Sequence, residues 1–362
     1  MRVPGKPNIT MLNIVSPLAA CALLAFAAAA GHGGGMSVVL AAALIASVLT
    51  AVHHAEVVAH RVGEPFGTLI LAICVTVIEV ALIVSMMLSG GTGKELIARD
   101  TLFAAIMIIC NGVIGLSILA GGIRHGAPEF RVEGTNPALA VLAALSTLTL
   151  VLPNFTTSAA GPFYTDTQLK FAGLSSLILY GTFVFIQTMR HRDYFLPVGK
   201  PGTAEHAAPP TGARAFASGA LLLVSLVAVI GLAKILSPDI ERLLANAGAP
   251  QTTVGVAIAL LVLLPEGFAA IRAALANRMQ TSFNLALGSA LASIGLTIPV
   301  VAMVSIGFGL PLTLGLGPVE LVMLVLTLGV SILTLATGRL TVLQGVVHLV
   351  MFAAYIFLTL VP

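Results

Sequence analysis

Two acidic residues stand where acids are costly. Glu79 lies near the centre of a long apolar run, and Glu266 lies within another, immediately after Pro265. A carboxylate at the centre of a membrane-spanning helix costs about 2.5–3.5 kcal/mol on insertion scales, a cost rarely borne without a proton, a cation or a basic partner. No Lys or Arg falls in the middle of an apolar run, so a fixed salt bridge is not expected. Oxygen donors gather instead. Thr76 is one turn before Glu79 on the same helical face. Ser289, Ser293 and Thr297 recur every four residues as one hydroxyl stripe, and Asn111 and Ser117 give their own run a polar side. Pro265 and Pro299 each remove an intrahelical bond and free the carbonyls of Leu261 and Gly295. Carboxylates, hydroxyls and freed carbonyls are hard ligands that suit calcium, sodium or magnesium rather than soft metals. The competing reading is a permanently protonated Glu bonded to a neighbouring helix, with hydroxyl and small residues serving only close packing. For Gly112, Gly115 and Gly288 packing is the expected role.

Other polar residues carry weaker signals. His53, His54, Glu56, His60 and Glu64 lie just before the third apolar run, with positions 53, 56, 60 and 64 on one helical face. An interfacial amphipathic turn is expected there, with pH sensing by His53 and His60 as the functional alternative. His348 lies well inside the last run and Glu320 near the outer end of the tenth, and both are candidates for a proton path. Cys21, Cys74 and Cys110 all sit in apolar runs, which offers no disulfide framework or thiolate motif. No phosphate loop, nucleophile elbow or zinc-protease pattern is present, so the sequence supports neither an enzyme nor a bound cofactor.

The elements that position these residues follow from composition. The 362 residues hold 17 Lys+Arg and 14 Asp+Glu, 9% charged, against roughly 25% in an ordinary soluble domain. With 58% hydrophobic residues and a mean hydropathy of +1.07, the chain cannot cover a water-facing surface. A net charge of +3 leaves no patch for nucleic acid. The expected fold is an all-α polytopic membrane protein in contact with lipid, since barrel strands would alternate polar and apolar residues. Eleven windows suit spans: 10–30, 36–53, 66–88, 100–121, 137–153, 171–189, 215–236, 251–273, 282–306, 318–336 and 341–361. The first resembles a signal peptide, with Arg2 and Lys6 before an apolar stretch and Ala27 to Ala30, but reads as an uncleaved helix. Residues 190–214 read as a polar linker. Lys and Arg divide 12 to 5 between the two sides, which places the N-terminus in the cytoplasm and the C-terminus outside.

A repeat is visible. Ile114-Gly115-Leu116-Ser117-Ile118 in the fourth span recurs as Ile294-Gly295-Leu296-Thr297-Ile298 in the ninth, and each copy follows a span bearing one acid. The acid precedes its copy by 35 residues in the first case and by 28 in the second. Five spans separate the copies, and five is odd, so the second half enters the membrane inverted. Inverted repeats mark secondary transporters, with the binding site near the midplane.

The stretch Ala55-Glu56 … Gly63-Glu64-Pro65-Phe66-Gly67 … Glu79 resembles the first signature of calcium/proton exchangers in the calcium/cation antiporter superfamily. Leu264-Pro265-Glu266 … Asn284 … Leu287-Gly288-Ser289 … Pro299 resembles the second. Pro318-Val319-Glu320 and Leu343-Gln344-Gly345 … Tyr355 resemble two later blocks, and the nearest branch is that of bacterial calcium/proton or sodium-potassium/proton antiporters. The resemblance implies ten core helices in two inverted five-helix halves plus one extra N-terminal helix. On this chain that gives 1–35 as the extra helix, 36–189 as the first repeat, 190–214 as a cytoplasmic linker and 215–362 as the second repeat. It also implies that Glu79 and Glu266 bind cation and protons alternately. Two departures stand out. The usual Gly-Asn before each signature acid is Val75-Thr76 and Val262-Leu263 here, and Ala292 replaces a usual Gln. Two lost amide ligands weaken the case for strict calcium selectivity and admit sodium or potassium.

The expectation is therefore a cation/proton antiporter of a bacterial inner membrane, with Thr76, Asn111, Ser289 and Ser293 around the two carboxylates. Oligomeric state is left open. A proton-coupled symporter of a small organic solute is the rival. It would ordinarily present aromatic groups to its solute, yet Trp is absent and aromatics are 6%.

Overall fold

The computed structural model describes residues 11–31, 33–63, 66–88, 93–196, 210–246, 248 and 250–362. Its long elements among the described residues are all helices. Among the described residues ten helices are long and apolar enough to cross a membrane, and an eleventh contributes the apolar stretch Ala72–Leu88. The number of spans agrees with the hydropathy reading; several boundaries do not. The protein is an integral membrane protein.

The chain divides into two compact units, residues 1–89 with 200–243 and residues 90–199 with 244–362. The first unit holds α1 (Met11–Ala30), α2 (Gly34–Val62), α3 (Phe66–Leu88) and nearly all of the long helix Gly212–Asn246. Helix α2 packs along both α1 and α3. It continues nine residues beyond the expected end of its span at position 53, because the polar residues there lower hydropathy without breaking a helix. The true stop is Gly63, whose φ of 80° only glycine adopts freely and whose N–H closes the helix on the Ala59 carbonyl at 2.9 Å.

The second unit is built around one continuous helix. Its parts are α4 (Ile97–Met107), a π-helical segment (Ile108–Val113) and α5 (Ile114–His125). The unit also contains α6 (Val132–Ser146) and α7 (Asp166–Phe185). With α8 assigned to Gly212–Asn246, there follow α9 (Thr252–Leu275), α10 (Met279–Phe308), α11 (Pro318–Leu335) and α12 (Val342–Leu360). Helix α4 lies against α9, α5 against α12 and α9, and α10 against α7, α9 and α6. The two copies of the repeated pentapeptide fall on α5 and α10 with the same burial pattern. Ile114, Gly115, Ser117 and Ile118 are buried, as are Ile294, Gly295, Thr297 and Ile298, while Leu116 and Leu296 are the more open members. Each glycine sits at a close approach. A side chain at Gly295 would collide with Tyr180 of α7 at 2.6 Å, and one at Gly115 with His348 of α12 at 3.0 Å. A Cβ at Gly112 would make only ordinary contact with the Phe352 ring at 3.5 Å, and Gly288 has nothing within 4 Å. The packing role expected for Gly288 is therefore not found.

Between α10 and α11 the chain is extended, yet Leu312 to Leu316 are buried. Backbone polar groups there must be satisfied by protein. Thr313 N donates to Glu95 O at 3.0 Å, Gly315 N to Pro162 O at 3.2 Å and Leu316 N to Leu150 O at 2.9 Å. Asn154 donates to Leu316 O at 2.8 Å and Arg99 to Gly315 O at 3.3 Å. This segment clamps the start of α4 to the end of α6.

Candidate functional site

In the first unit, α3 presents Glu79 at 1% exposure and Thr76 at 4%. The Thr76 hydroxyl donates to the Ala72 carbonyl at 2.9 Å, one turn back. That bond uses its proton and leaves its oxygen lone pairs as acceptors, the arrangement a cation ligand needs. His54 is buried with Nε2 3.1 Å from the Asn13 carbonyl, His53 is half-buried beside it in edge contact, and Glu56 and His60 are exposed. Among the described residues no group of three His, Cys, Asp or Glu side chains is placed to hold a metal ion. Glu64 and Pro65, part of the quoted signature, lie outside the described residues, as do Gly90, Gly91 and most of the 190–214 linker.

In the second unit, Glu266 is half-buried in the middle of α9, directly after Pro265. The neighbouring Gly267 brings α9 against Val113, with a Cβ there 3.3 Å from the Val113 side chain. The hydroxyl stripe of α10 goes from half-buried Ser289 to Ser293 at 2% and Thr297 at 0% exposure. The π-helical segment is where these helices meet, since Ile108–Val113 packs against α9, α10, α11 and α12. A π turn carries one extra residue and reorients the side chains on it, a distortion that recurs at functional sites. Here it carries Asn111, fully buried.

Asn111 and His348 are brought together, Oδ1 and Nδ1 being 3.1 Å apart. Asn111 Nδ2 donates to Thr327 Oγ1 at 2.9 Å, and His348 Nε2 lies 3.1 Å from Thr334 Oγ1. Sequence reasoning missed both threonines. The signal was available, because Thr327, Ser331 and Thr334 recur at helical spacing on α11 and all are buried. Glu320 is elsewhere. Fourteen residues of α11 separate it from Thr334, a rise of about 21 Å. It lines a cavity of about 170 Å³ with Asp100, Phe103, Thr252 and Tyr355, and Asp100 is paired there to Arg99 at 2.7 Å.

An all-helical membrane protein with a buried carboxylate in a long apolar helix, and hydroxyl and amide groups on the helices of its second unit, has the makings of a secondary transporter for ions. The chain belongs to the sodium/calcium exchanger protein family, whose sequence profile matches residues 32–189 and 217–361. It is 52% identical over 323 residues, 88% of this chain and 87% of the other, to the y4hA protein of Sinorhizobium fredii (strain NBRC 101917 / NGR234), which is named for ionic transport with no ion specified. It is 36% identical over 316 residues, 86% of this chain and 85% of the other, to the sodium-potassium/proton antiporter ChaA of Escherichia coli (strain K12). The crystal structure of the Ca2+/H+ antiporter YfkE covers 97% of this chain and 100% of its own with a TM-score of 0.71 at 17% identity, which establishes the shared fold.

Proposed function

We propose that this protein is a secondary antiporter that exchanges inorganic cations (calcium, and also sodium or potassium) for protons across a bacterial inner membrane. The observation that carries the reading is Glu79, a carboxylate at 1% exposure inside an apolar helix of a chain from the exchanger family. Glu79 and Glu266 are the groups that take cation and protons by turns, with Thr76, Asn111, Ser289 and Ser293 as oxygen ligands. An ionised carboxylate is expensive to hold away from water, so the burial of Glu79 favours a proton or a cation on it. Reorientation with the charge neutralised, and not otherwise, makes exchange obligatory. The relatives matched are named for ions rather than organic solutes, which weighs against the symporter. The loss of the usual amide before each acid, at Val75-Thr76 and Val262-Leu263, favours monovalent ions beside calcium. The cavity lined by Glu320 and Asp100 offers protons a way in from one end of α11. His53 and His60 at the end of α2 are a place for pH to act on the first unit.

The test is competition. In proteoliposomes with an imposed pH gradient, assayed in turn with calcium, sodium and potassium, apparent cation affinity rises with pH as protons leave the shared carboxylates. It reaches a plateau once both are ionised. Affinity that does not change with pH across the neutral and alkaline range overturns the shared-carboxylate reading.

The repeats fit the same proposal, with 36–189 and 215–362 as inverted five-helix halves, 1–35 as the extra helix and 190–214 as a cytoplasmic linker. The 12-to-5 division of Lys and Arg supports an N-terminus inside and a C-terminus outside. Reporter fusions at Pro362 are expected to be active only in a form that works outside the cytoplasm. A cytoplasmic C-terminus would contradict both the orientation and the inversion.

A further inference from the structure

We propose that His348 is a positioning residue for cation exchange, acting through Asn111, rather than a carrier of the transported protons. The inference rests on the antiporter reading above and adds the group that orients one of its ligands. The direction of each hydrogen bond can be followed along the chain of contacts. Met107 Sδ accepts only, and the Thr327 hydroxyl lies 3.4 Å from it and donates to it. Thr327 Oγ1 is then the acceptor for Asn111 Nδ2 at 2.9 Å. That turns Asn111 Oδ1 toward His348, so Nδ1 of the imidazole is the protonated nitrogen and donates across 3.1 Å. Nε2 is left as a lone pair, which accepts from the Thr334 hydroxyl at 3.1 Å. Every member is 3% exposed or less. The Cys110 backbone carbonyl is a second acceptor at the His348 ring, and the amide of Asn111 is held in one orientation, with a lone pair of Oδ1 left over for a cation.

The backbone is shaped to allow this contact. A side chain at Gly345 would lie 2.7 Å from Leu119 N and 3.0 Å from Gly115 O, so α12 rests directly on the backbone of α5. Only that close approach lets an imidazole on α12 reach an amide on the π segment. Thr327 and Thr334, two turns apart on α11, hold the two ends of the chain of bonds.

The experiment compares apparent KM with maximal rate in proteoliposomes, using calcium, sodium and potassium in turn. His348→Leu removes the donor to Asn111, and loss of such a supporting bond is expected to raise the cation KM about 10-fold or more with a smaller effect on maximal rate. His348→Asn places an amide N–H at the same bond distance from Cα as Nδ1 and cannot titrate, so it is expected to recover most of the lost affinity with the wild-type pH profile. Added to Asn111→Ala, His348→Leu should cost nothing further. Where His348→Leu yields no folded protein, Thr334→Val serves from the far side of the ring, because it frees the tautomer to reverse and should raise KM unless Asn111 is already absent. An unchanged KM, an Asn variant as impaired as the Leu variant, or losses additive with Asn111→Ala would each overturn the proposal. Exchange that survives Glu79→Gln and Glu266→Gln while this non-additivity persists would reject the carboxylate reading and leave the His348 assignment standing.

Discussion

Glu79→Gln and Glu266→Gln are each expected to reduce cation-driven proton movement in proteoliposomes to the level of empty vesicles, with yield and detergent-extracted size unchanged. The amide keeps the volume of the carboxyl and its neutral insertion cost is lower than that of a charge, so the fold has no reason to fail. What is lost is the ability to hold a cation and a proton at one oxygen by turns. Glu79 is the sharper of the two cases, since at 1% exposure water cannot stand in for the missing charge. Glu266, half-buried, tests whether a carboxylate in the second unit is also required. Full transport in either variant would make that residue structural. Ser289→Ala and Thr76→Val are expected to weaken cation affinity without abolishing exchange, because each removes one neutral oxygen and leaves both carboxylates.

A second large effect is expected from a single methyl group. Gly345→Ala places Cβ against Leu119 N and Gly115 O, both backbone atoms that cannot swing aside. Helices α5 and α12 must separate, and overpacking of this kind costs about 1–3 kcal/mol. The thermal midpoint in detergent should fall, and cation affinity should fall with it, because His348 leaves the reach of Asn111. Gly288→Ala is the control. Nothing lies within 4 Å of a Cβ at that position in α10, and Ala is favoured over Gly in a helix by about 1 kcal/mol. Its thermal midpoint should hold or rise. Equal destabilisation by the two substitutions would show that helix propensity, not backbone contact, governs both sites.

The difference between these two glycines illustrates what could be read from the chain and what could not. Both stand in apolar runs beside residues of a family signature, and nothing local separates them. The membrane character, the number of spans and the unusual position of Glu79 were all legible, because each depends on the composition of a short stretch and on the cost of placing it in hydrocarbon. The end of α2 was misread because hydropathy falls at His53 while helical geometry persists to Gly63, and only backbone conformation stops a helix. The relation of Thr76 to Glu79 was legible as well, since three residues in a helix fix a shared face.

Longer-range arrangement was decided by the tertiary structure alone. Asn111 and His348 lie 237 positions apart, and no periodicity links them. Their contact depends on a π turn that rotates Asn111, on two glycines that bring α5 and α12 together, and on threonines of α11 at either end. The buried extended segment at Leu312 to Leu316 has the same origin, as its backbone finds partners at Glu95, Leu150 and Pro162 rather than within itself. The sequence by itself determined that this is a helical membrane protein carrying acids where acids are costly, because insertion energy is summed residue by residue. Which polar groups meet was settled by close packing, which depends on all the neighbouring helices at once.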